Sequence, residues 1–132
     1  MVDFKAIHKT IKDHITGKGF KYLTAAKWFN FELGSFPASS HNNAFAVHPG
    51  SGKRTQEYEA YDWCDSPWTV EFCLEGMRDH YLKKMGAAYD AIRSLEGITA
   101  DHIAEIEFLD WNWQNFEEHA ILTFEIKVTI NE

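Results

Sequence analysis

Residues 120–130, AILTFEIKVTI, and residues 68–74, WTVEFCL, are the two stretches that decide the fold. In both, large apolar side chains occupy every second position, so that they share one side of an extended chain. The alternation in the longer stretch extends over eleven residues. The opposite side of that stretch carries Thr123, Glu125, Lys127 and Thr129. Both stretches are therefore predicted to be strands of a sheet with one apolar face and one half-polar face.

Two further stretches have the spacing of helices. In Asp3–Thr16, apolar residues recur every three or four positions, with Asp3 as the expected N-cap and Gly17 and Gly19 as the stop. A longer helix is predicted from Arg78 to Glu96, where Gly97 has the place of a C-terminal glycine cap. Each helix has one apolar stripe, which must pack against another element.

Three more strands are predicted around these elements, at Asn43–His48, Gln56–Trp63 and Ala104–Trp113. The loop at 49–55 separates the first two, and a turn at 65–67 separates the second from Trp68. In the strand predicted at Ala104–Trp113, the apolar residues switch from even to odd positions at Leu109. One extra residue in the strand would cause this switch. A β-bulge is therefore predicted near Leu109 and Asp110.

The predicted element order is α-β-β-β-α-β-β, and 132 residues suffice for one core. Strands joined by short turns pair antiparallel, and two helices can cover one face of the sheet. The expected fold is thus α+β, a two-layer sandwich formed by residues 1–132 as a single domain. An irregular segment, with a short strand around 27–33, is expected between the first helix and the sheet.

Charge and composition exclude several classes of protein. Twenty acidic and 13 basic residues give a net charge of −7, which argues against binding to nucleic acid. No apolar run is long enough to cross a membrane, and the start, Met1-Val2-Asp3-Phe4, lacks the pattern of a signal peptide. Cys64 and Cys73 are expected to be reduced, and no histidine spacing would pair with them around a metal.

The chain carries no recognisable catalytic motif. Gly50-Ser51-Gly52-Lys53 lacks the upstream glycine and the following Ser or Thr of a phosphate loop, and a flexible hairpin tip explains it better. The carboxylate pair Glu105 and Glu107 is typical of a solvated or subunit-facing strand, and no nucleophile is evident beside His80. We therefore expect a protein that is not an enzyme and that holds no cofactor or metal.

The aromatic residues, 15% of the chain, are its most unusual feature. Some crowd the segment 20–36, and Trp111, Trp113 and Phe116 cluster around the last hairpin turn. Core filling and a subunit interface both account for such residues. If they form an interface, the tip at 49–55 could reach a neighbouring copy. The candidate interface residues are Gly50, Ser51, Gly52, Lys53, Arg54, Trp111, Trp113 and Phe116.

The order of elements resembles a known family over nearly the whole chain. An amphipathic helix, a three-strand meander with the loop 49–55, a long helix and a closing hairpin ending in Ile126-Lys127-Val128-Thr129-Ile130 follow one another. In order and length this is similar to the tail terminator, or tail-completion, proteins of long-tailed bacteriophages. The resemblance implies a virion structural protein, present in the host cytoplasm during assembly. Such a protein forms a homo-oligomeric ring, a hexamer, that ends the tail tube and contacts the head connector.

Two other functions remain open from the residues alone. The aromatics of 28–36 and 111–113 could line the pocket of a small-molecule-binding or enzymatic domain. A small adaptor could instead bind one partner protein through its acidic surface. The oligomeric state separates the three, because only the first requires a ring.

Overall fold

The computed structural model describes residues 2–22, 43–50, 53–58, 61–75, 79–115 and 119–131. It confirms the expected α+β fold, with two helices and a mostly antiparallel sheet in the order α-β-β-β-α-β-β, and adds a two-residue strand at the edge. The elements are α1 (Phe4–Thr16), β1 (Lys21–Tyr22), β2 (Ala44–Pro49), β3 (Lys53–Tyr58), β4 (Tyr61–Glu75), α2 (Asp79–Ser94), β5 (Ile103–Asn115) and β6 (His119–Asn131). A 3₁₀ turn, Leu95–Gly97, follows α2.

The described strands form one sheet in the order β1-β2-β4-β6-β5, with β3 also paired to β4. All pairs are antiparallel except the short β1, which lies parallel to β2. β6 is central, because it pairs along its length with β4 on one side and with β5 on the other. The stretch whose alternation is longest in the sequence therefore lies in the middle of the sheet.

Both helices pack on one face of the sheet, which we call the helix face. The isoleucines of α1 and the buried residues of α2 belong to the same apolar core as the strand residues beneath them. Val70, Phe72 and Phe124 form the middle of that core and are fully buried or nearly so. The opposite face, which we call the second face, carries the alternate residues, including Thr69, Glu71, Thr123 and Glu125.

Local signals in the sequence account for several element ends. Asp3 caps α1, because its carboxylate accepts a hydrogen bond from the backbone N–H of Ala6 at 3.1 Å. Gly19 adopts a φ of 99° after the helix, a conformation that favours glycine. Gly97, expected to be a C-terminal glycine cap, is instead the last residue of the 3₁₀ turn and has no positive φ; Ile98 N–H then donates to the carbonyl of Leu95.

The predicted bulge is confirmed. The register between β5 and β6 shifts between Phe108 and Asp110, so Leu109 is the extra residue. Beyond it, Trp111 is opposite Phe124 and Trp113 is opposite Leu122, which places both tryptophans on the helix face. The bulge therefore moves the aromatic residues of an otherwise polar strand end to the side of α2.

The predicted turn at 65–67 is wrong, because β4 continues through it as one strand of 15 residues. β3 pairs with β4 up to Asp65, and β2 pairs with it from Trp68 onward. Pro67 lies between the part of β4 that pairs with β3 and the part that pairs with β2. A proline there interrupts no continuous hydrogen-bond ladder on that side of β4. The predicted strand at 56–63 accordingly divides between β3 and β4.

The strand that follows residues 49–52 also begins earlier than predicted. Lys53 and Arg54 are the first residues of β3, opposite Asp65 and Cys64, rather than part of a loop. The short strand predicted around 27–33 lies outside the described residues, as do Ser51, Gly52 and Phe116.

Candidate interface at the edges of the sheet

β5 is an edge strand. It pairs with β6 on one side, and no strand of the described residues lies along its other side. Its side chains from Leu109 to Asn115 are all exposed. A long edge strand presents unpaired backbone N–H and C=O groups, which natural proteins cover or use for association. The second half of β5 is thus a candidate contact surface.

Two tryptophans occupy this edge on the helix face. Trp111 is 42% exposed and Trp113 is 41% exposed. The ring of Trp111 meets that of Tyr89 edge-on, 6.3 Å between centroids, and Trp113 lies 6.0 Å from Tyr81. Each tryptophan therefore packs one side against α2 and leaves the other to solvent, as aromatic residues at protein interfaces commonly do.

Two more exposed apolar side chains lie on the same two elements, α2 and β5. Leu82 of α2 is 51% exposed and Leu109 at the bulge is 45% exposed. We call Leu82, Leu109, Trp111 and Trp113 the tryptophan edge. Apolar residues grouped on a protein surface typically mark a site of interaction.

A cavity of about 280 Å³ lies between α2 and the β5–β6 hairpin. Its walls are Met85, Tyr89, Trp111, Leu122 and Phe124, and Gly86 leaves space on the helix side. Asp90 supplies the one carboxylate of this lining. A space of this size is at the small end for a drug-sized ligand and accommodates one large side chain. We call it the α2 cavity.

The second face of the same strand is acidic. Asp110 is directly opposite Glu125, and both border a polar hollow of about 240 Å³. Like charges in register repel, so this pair costs stability unless a cation lies nearby. Along the strand, Glu107 binds Lys127 at 2.9 Å, and this hydrogen bond raises the pKa of the lysine.

The other predicted interface segment lies at the opposite side of the sheet. The carbonyl of Gly50 accepts a hydrogen bond from Ser66 Oγ at 3.2 Å, and the chain there is pressed against Pro67. Lys53 and Arg54 then begin β3, which pairs with β4 and with no other strand of the described residues. The structure therefore separates the two predicted surfaces, one at the β3 edge and one at the β5 edge.

The residues considered for catalysis do not converge in the described part of the chain. Glu105 and Glu107 face strand residues Thr129 and Lys127, with Glu107 in an ion pair. His80 is in the first turn of α2, and its side chain lies outside the described part. Among the residues placed by the structure, no three His, Cys, Asp or Glu side chains could jointly hold a metal ion.

A buried polar pair that the sequence did not single out lies on the second face. Glu71 is buried, and its Oε1 lies 3.3 Å from Nε2 of His48 on the neighbouring strand. Glu71 is two residues along β4 from Thr69, the register partner of His48. Only the pairing of β2 with β4 therefore brings His48 and Glu71 together. Ala44, Ala46 and Cys73 form a small apolar cluster on the same face.

The α2 cavity was also missed. No local spacing in the sequence links Tyr89 and Asp90 of α2 to Trp111 of β5. The bulge, which the sequence does reveal, was the one signal that the tryptophans face the helix.

The sequence matches no protein-family model, and a search of curated proteins finds no similar chain. No helix among the residues that the structure places is both long and apolar enough to cross a membrane.

Proposed function

We propose that this chain is a structural protein of the tail terminator kind, which assembles into a ring at the end of a phage or prophage tail. The ring is a hexamer that meets the tail tube on one side and the head connector on the other. It belongs to the virion and is present in the host cytoplasm during assembly. The observation that carries the proposal is the outer side of β5, along which no strand of the described residues lies, together with the exposed tryptophans on this edge.

The element order supports the same function. The structure has the helix, the meander, the long helix and the closing hairpin in the same order on which the resemblance to the family rests. A ring requires a surface on each copy that contacts a different surface on the next copy. The tryptophan edge has the properties of one such surface, because it combines rigid aromatic side chains with a strand edge that no strand of the described residues pairs.

The oligomeric state tests the ring. Light scattering after size exclusion, over a range of concentrations, is expected to show a species of six times the 15.3 kDa chain mass, in equilibrium with the monomer. Electron microscopy of the same sample is expected to show particles with a central hole. A monomer at every concentration would refute the proposal.

A pair of matched variants tests whether the tryptophan edge carries the assembly. Trp111→Ser with Trp113→Ser removes two half-exposed aromatics and is expected to raise the concentration needed for assembly by at least about tenfold. Phe4→Ser removes an aromatic of similar exposure on α1, 54%, and is expected to assemble as the unmodified chain does. Equal effects of both changes would remove the edge from the interface.

A tube-length measurement tests the role in the tail. The chain is co-expressed with the tail tube protein of its own phage or prophage, and tubes are measured by electron microscopy. A terminator gives tubes of bounded length that carry a ring at one end. Tubes that grow without bound and carry no cap would contradict this role even if the ring exists.

The α2 cavity favours a second function, the binding of a small molecule. Its aromatic walls and single carboxylate suit an organic cation, since aromatic faces attract cations. A strict monomer whose tryptophan fluorescence saturates with a simple organic cation such as tetramethylammonium, and loses that response in Trp111→Ala, would favour it over the ring.

A further inference from the structure

Basic residues are concentrated at the start of the chain. Residues 2–22 hold five of its 13 basic residues and only two of its 20 acidic ones. Lys5, Lys9 and Lys12 follow one another at spacings of four and three along α1, so they share one side of the helix. Lys5 and Lys9 are exposed and Lys12 is half-buried. We call these three residues the lysine stripe. Phe4 lies about 100° around the helix from Lys5 and outside this side.

Two carboxylates of the same region have to be counted with the lysine stripe. Asp13 binds Lys9 in an exposed ion pair and neutralises that part of the stripe. Asp3, the N-cap, uses its carboxylate to accept a backbone N–H of the first turn. Lys5 and Lys12 form no ion pair within the described residues. Even with both carboxylates counted, the stripe therefore has a positive charge.

Acidic residues are concentrated at the opposite edge of the sheet, on the second face of β5 and β6. Glu105, Glu107, Asp110 and Glu125 lie there, and Lys127 is the one lysine or arginine on this face of the two strands. Glu107 binds Lys127 at 2.9 Å. The other three carboxylates form no ion pair within the described residues. We call Glu105, Asp110 and Glu125 the acidic patch.

The acidic patch contains a place for an ammonium group. Asp110 and Glu125 border the polar hollow of about 240 Å³ together with Thr69 and Thr123. An ammonium group donates three hydrogen bonds and accepts none, so carboxylate and hydroxyl oxygens suit it. A cation in the hollow also removes the repulsion between the two carboxylates, which are directly opposite one another. Trp111 borders the hollow as well, so the acidic patch is continuous with the tryptophan edge.

We propose that the lysine stripe of one copy docks on the acidic patch of the next copy, with a lysine ammonium in the hollow between Asp110 and Glu125. α1 packs on β1 and β2, whereas the patch lies on β5 and β6 at the other edge of the sheet. Because the two surfaces are distant and unlike, the contact repeats from copy to copy and can close into a ring. This inference rests on the proposed ring and names the two surfaces that form it.

The net charge of the chain makes such a contact necessary for self-association. At −7 per chain, two copies repel one another unless opposite charges meet locally. Among the side chains that the structure describes, the basic residues outside 2–22 are Lys83, Lys84, Arg93 and Lys127. Arg93 and Lys127 are each bound to a glutamate of their own chain. The lysine stripe is therefore the largest basic surface that the described side chains offer to the acidic patch.

Charge reversal on both surfaces tests the docking. Lys5→Glu with Lys12→Glu makes the stripe acidic, and Asp110→Lys with Glu125→Lys makes the patch basic. Each double variant alone is expected to need a concentration about tenfold higher or more for assembly, because like charges then meet. All four changes in one chain bring opposite charges together again and are expected to restore assembly. An equal mixture of the two double variants is expected to assemble as well, with the two kinds of copy alternating.

Two further variants keep the result interpretable. Lys18→Glu with Lys83→Glu makes the same change in net charge as the stripe variant, at exposed positions outside the stripe, and is expected to assemble normally. Glu105→Lys with Glu125→Lys reverses the patch and leaves Asp110 in place, whose carboxylate accepts a backbone N–H at 2.7 Å. It serves in case replacement of Asp110 impairs folding. It is expected to assemble poorly alone and to assemble when mixed with the stripe variant.

The outcomes distinguish the inference from the proposed function. If the unmodified chain assembles and either the stripe variant or the patch variant assembles equally well, copies meet by another surface; the docking is then wrong while the ring stands. The same holds if both variants lose assembly but neither the combined variant nor the mixture regains it. An equal loss in the Lys18 and Lys83 control would assign the effect to net charge and also refute the docking. If the unmodified chain never assembles, both the ring and the docking fail.

Discussion

Gly50 shows how much one residue position is constrained at the β3 edge. A Cβ added there would lie 2.1 Å from the carbonyl oxygen of Pro67, and this oxygen belongs to the backbone of β4. The Pro-Gly sequence, which suggests a flexible tip, therefore marks a close approach of two chain segments. We expect Gly50→Ala to lower the free energy of unfolding by about 1–3 kcal/mol, measured by urea denaturation.

Gly86 provides the matched control for that prediction. It lies inside α2, where no heavy atom comes within 4 Å of the position that a Cβ would take. Alanine favours a helix over glycine, so Gly86→Ala is expected to raise the free energy of unfolding by about 0.5–1 kcal/mol. A loss at both positions would show that the close contact at Gly50 is not the cause.

The environment of His14 determines which of its nitrogens carries a proton. Ser94 Oγ donates its hydrogen to the carbonyl of Ala91 at 2.7 Å, and Nε2 of His14 lies 2.7 Å from the same Oγ. Since the hydroxyl hydrogen is already used, Nε2–H of the imidazole is the donor to the serine oxygen. This bond joins α1 to α2 at the level of their last turns.

The pH dependence of stability follows from His8 and His14. Burial lowers the pKa of both histidines, and Lys12 near His8 and Lys18 near His14 lower it further. The unfolded chain therefore binds protons at a higher pH than the folded chain does, and stability rises with pH. The stability that the two uncharged histidines contribute is fully present above about 6.5, the pKa of histidine in the unfolded chain. It is lost as the pH falls through the lower pKa values that these histidines have in the folded chain.

We accordingly expect the free energy of unfolding to decrease as the pH is lowered from about 8 to about 5. The double variant His8→Gln with His14→Gln is expected to show a smaller decrease over the same interval, since neither amide titrates. Urea denaturation at several pH values gives both curves. Identical pH dependence in the two proteins would assign the effect to other groups.

At the scale of elements, β5 and β6 should differ in amide hydrogen exchange. β6 lies between two strands and has both sides of its backbone paired, whereas the outer side of β5 has no strand neighbour in the described part of the chain. At concentrations too low for assembly, outward amides of residues 109–115 are expected to exchange fast and those of β6 slowly. In the assembled protein both are expected to be slow, and fast exchange along β5 in the ring would contradict the use of this edge as a contact.

The elements that could be predicted are those whose signal is local. The parity change at Leu109 revealed the bulge, and the eleven-residue alternation of 120–130 revealed β6, because side-chain period alone determines both. Pro67 led to the wrong prediction of a turn, because a proline is rare inside a strand. Its place in β4 is understood only once the pairing shows that β3 gives way to β2 on that side. The α2 cavity could not be predicted, since Tyr89 and Trp111 meet only through tertiary packing.

At the scale of the whole molecule, the two sheet edges are unlike, and this decides what kind of assembly they permit. Identical edges would pair as a closed dimer, whereas the β3 edge, of mixed charge, and the aromatic, acidic β5 edge favour a repeated contact. Copies joined by such a contact form a closed ring or an open filament, depending on the rotation from one copy to the next. The proposed ring requires the contact to close, because an open chain of copies would leave one β5 edge without a neighbouring copy at its end.

The charge of the whole molecule leads to the last prediction, which concerns DNA. Each chain carries a net charge of −7, so a closed ring of copies is strongly acidic, and a phosphate backbone near it is repelled rather than held. We expect no binding to double-stranded DNA even at low ionic strength, measured as the fluorescence anisotropy of a labelled duplex. Tight binding that weakens as salt is added would reveal a basic surface that the net charge conceals.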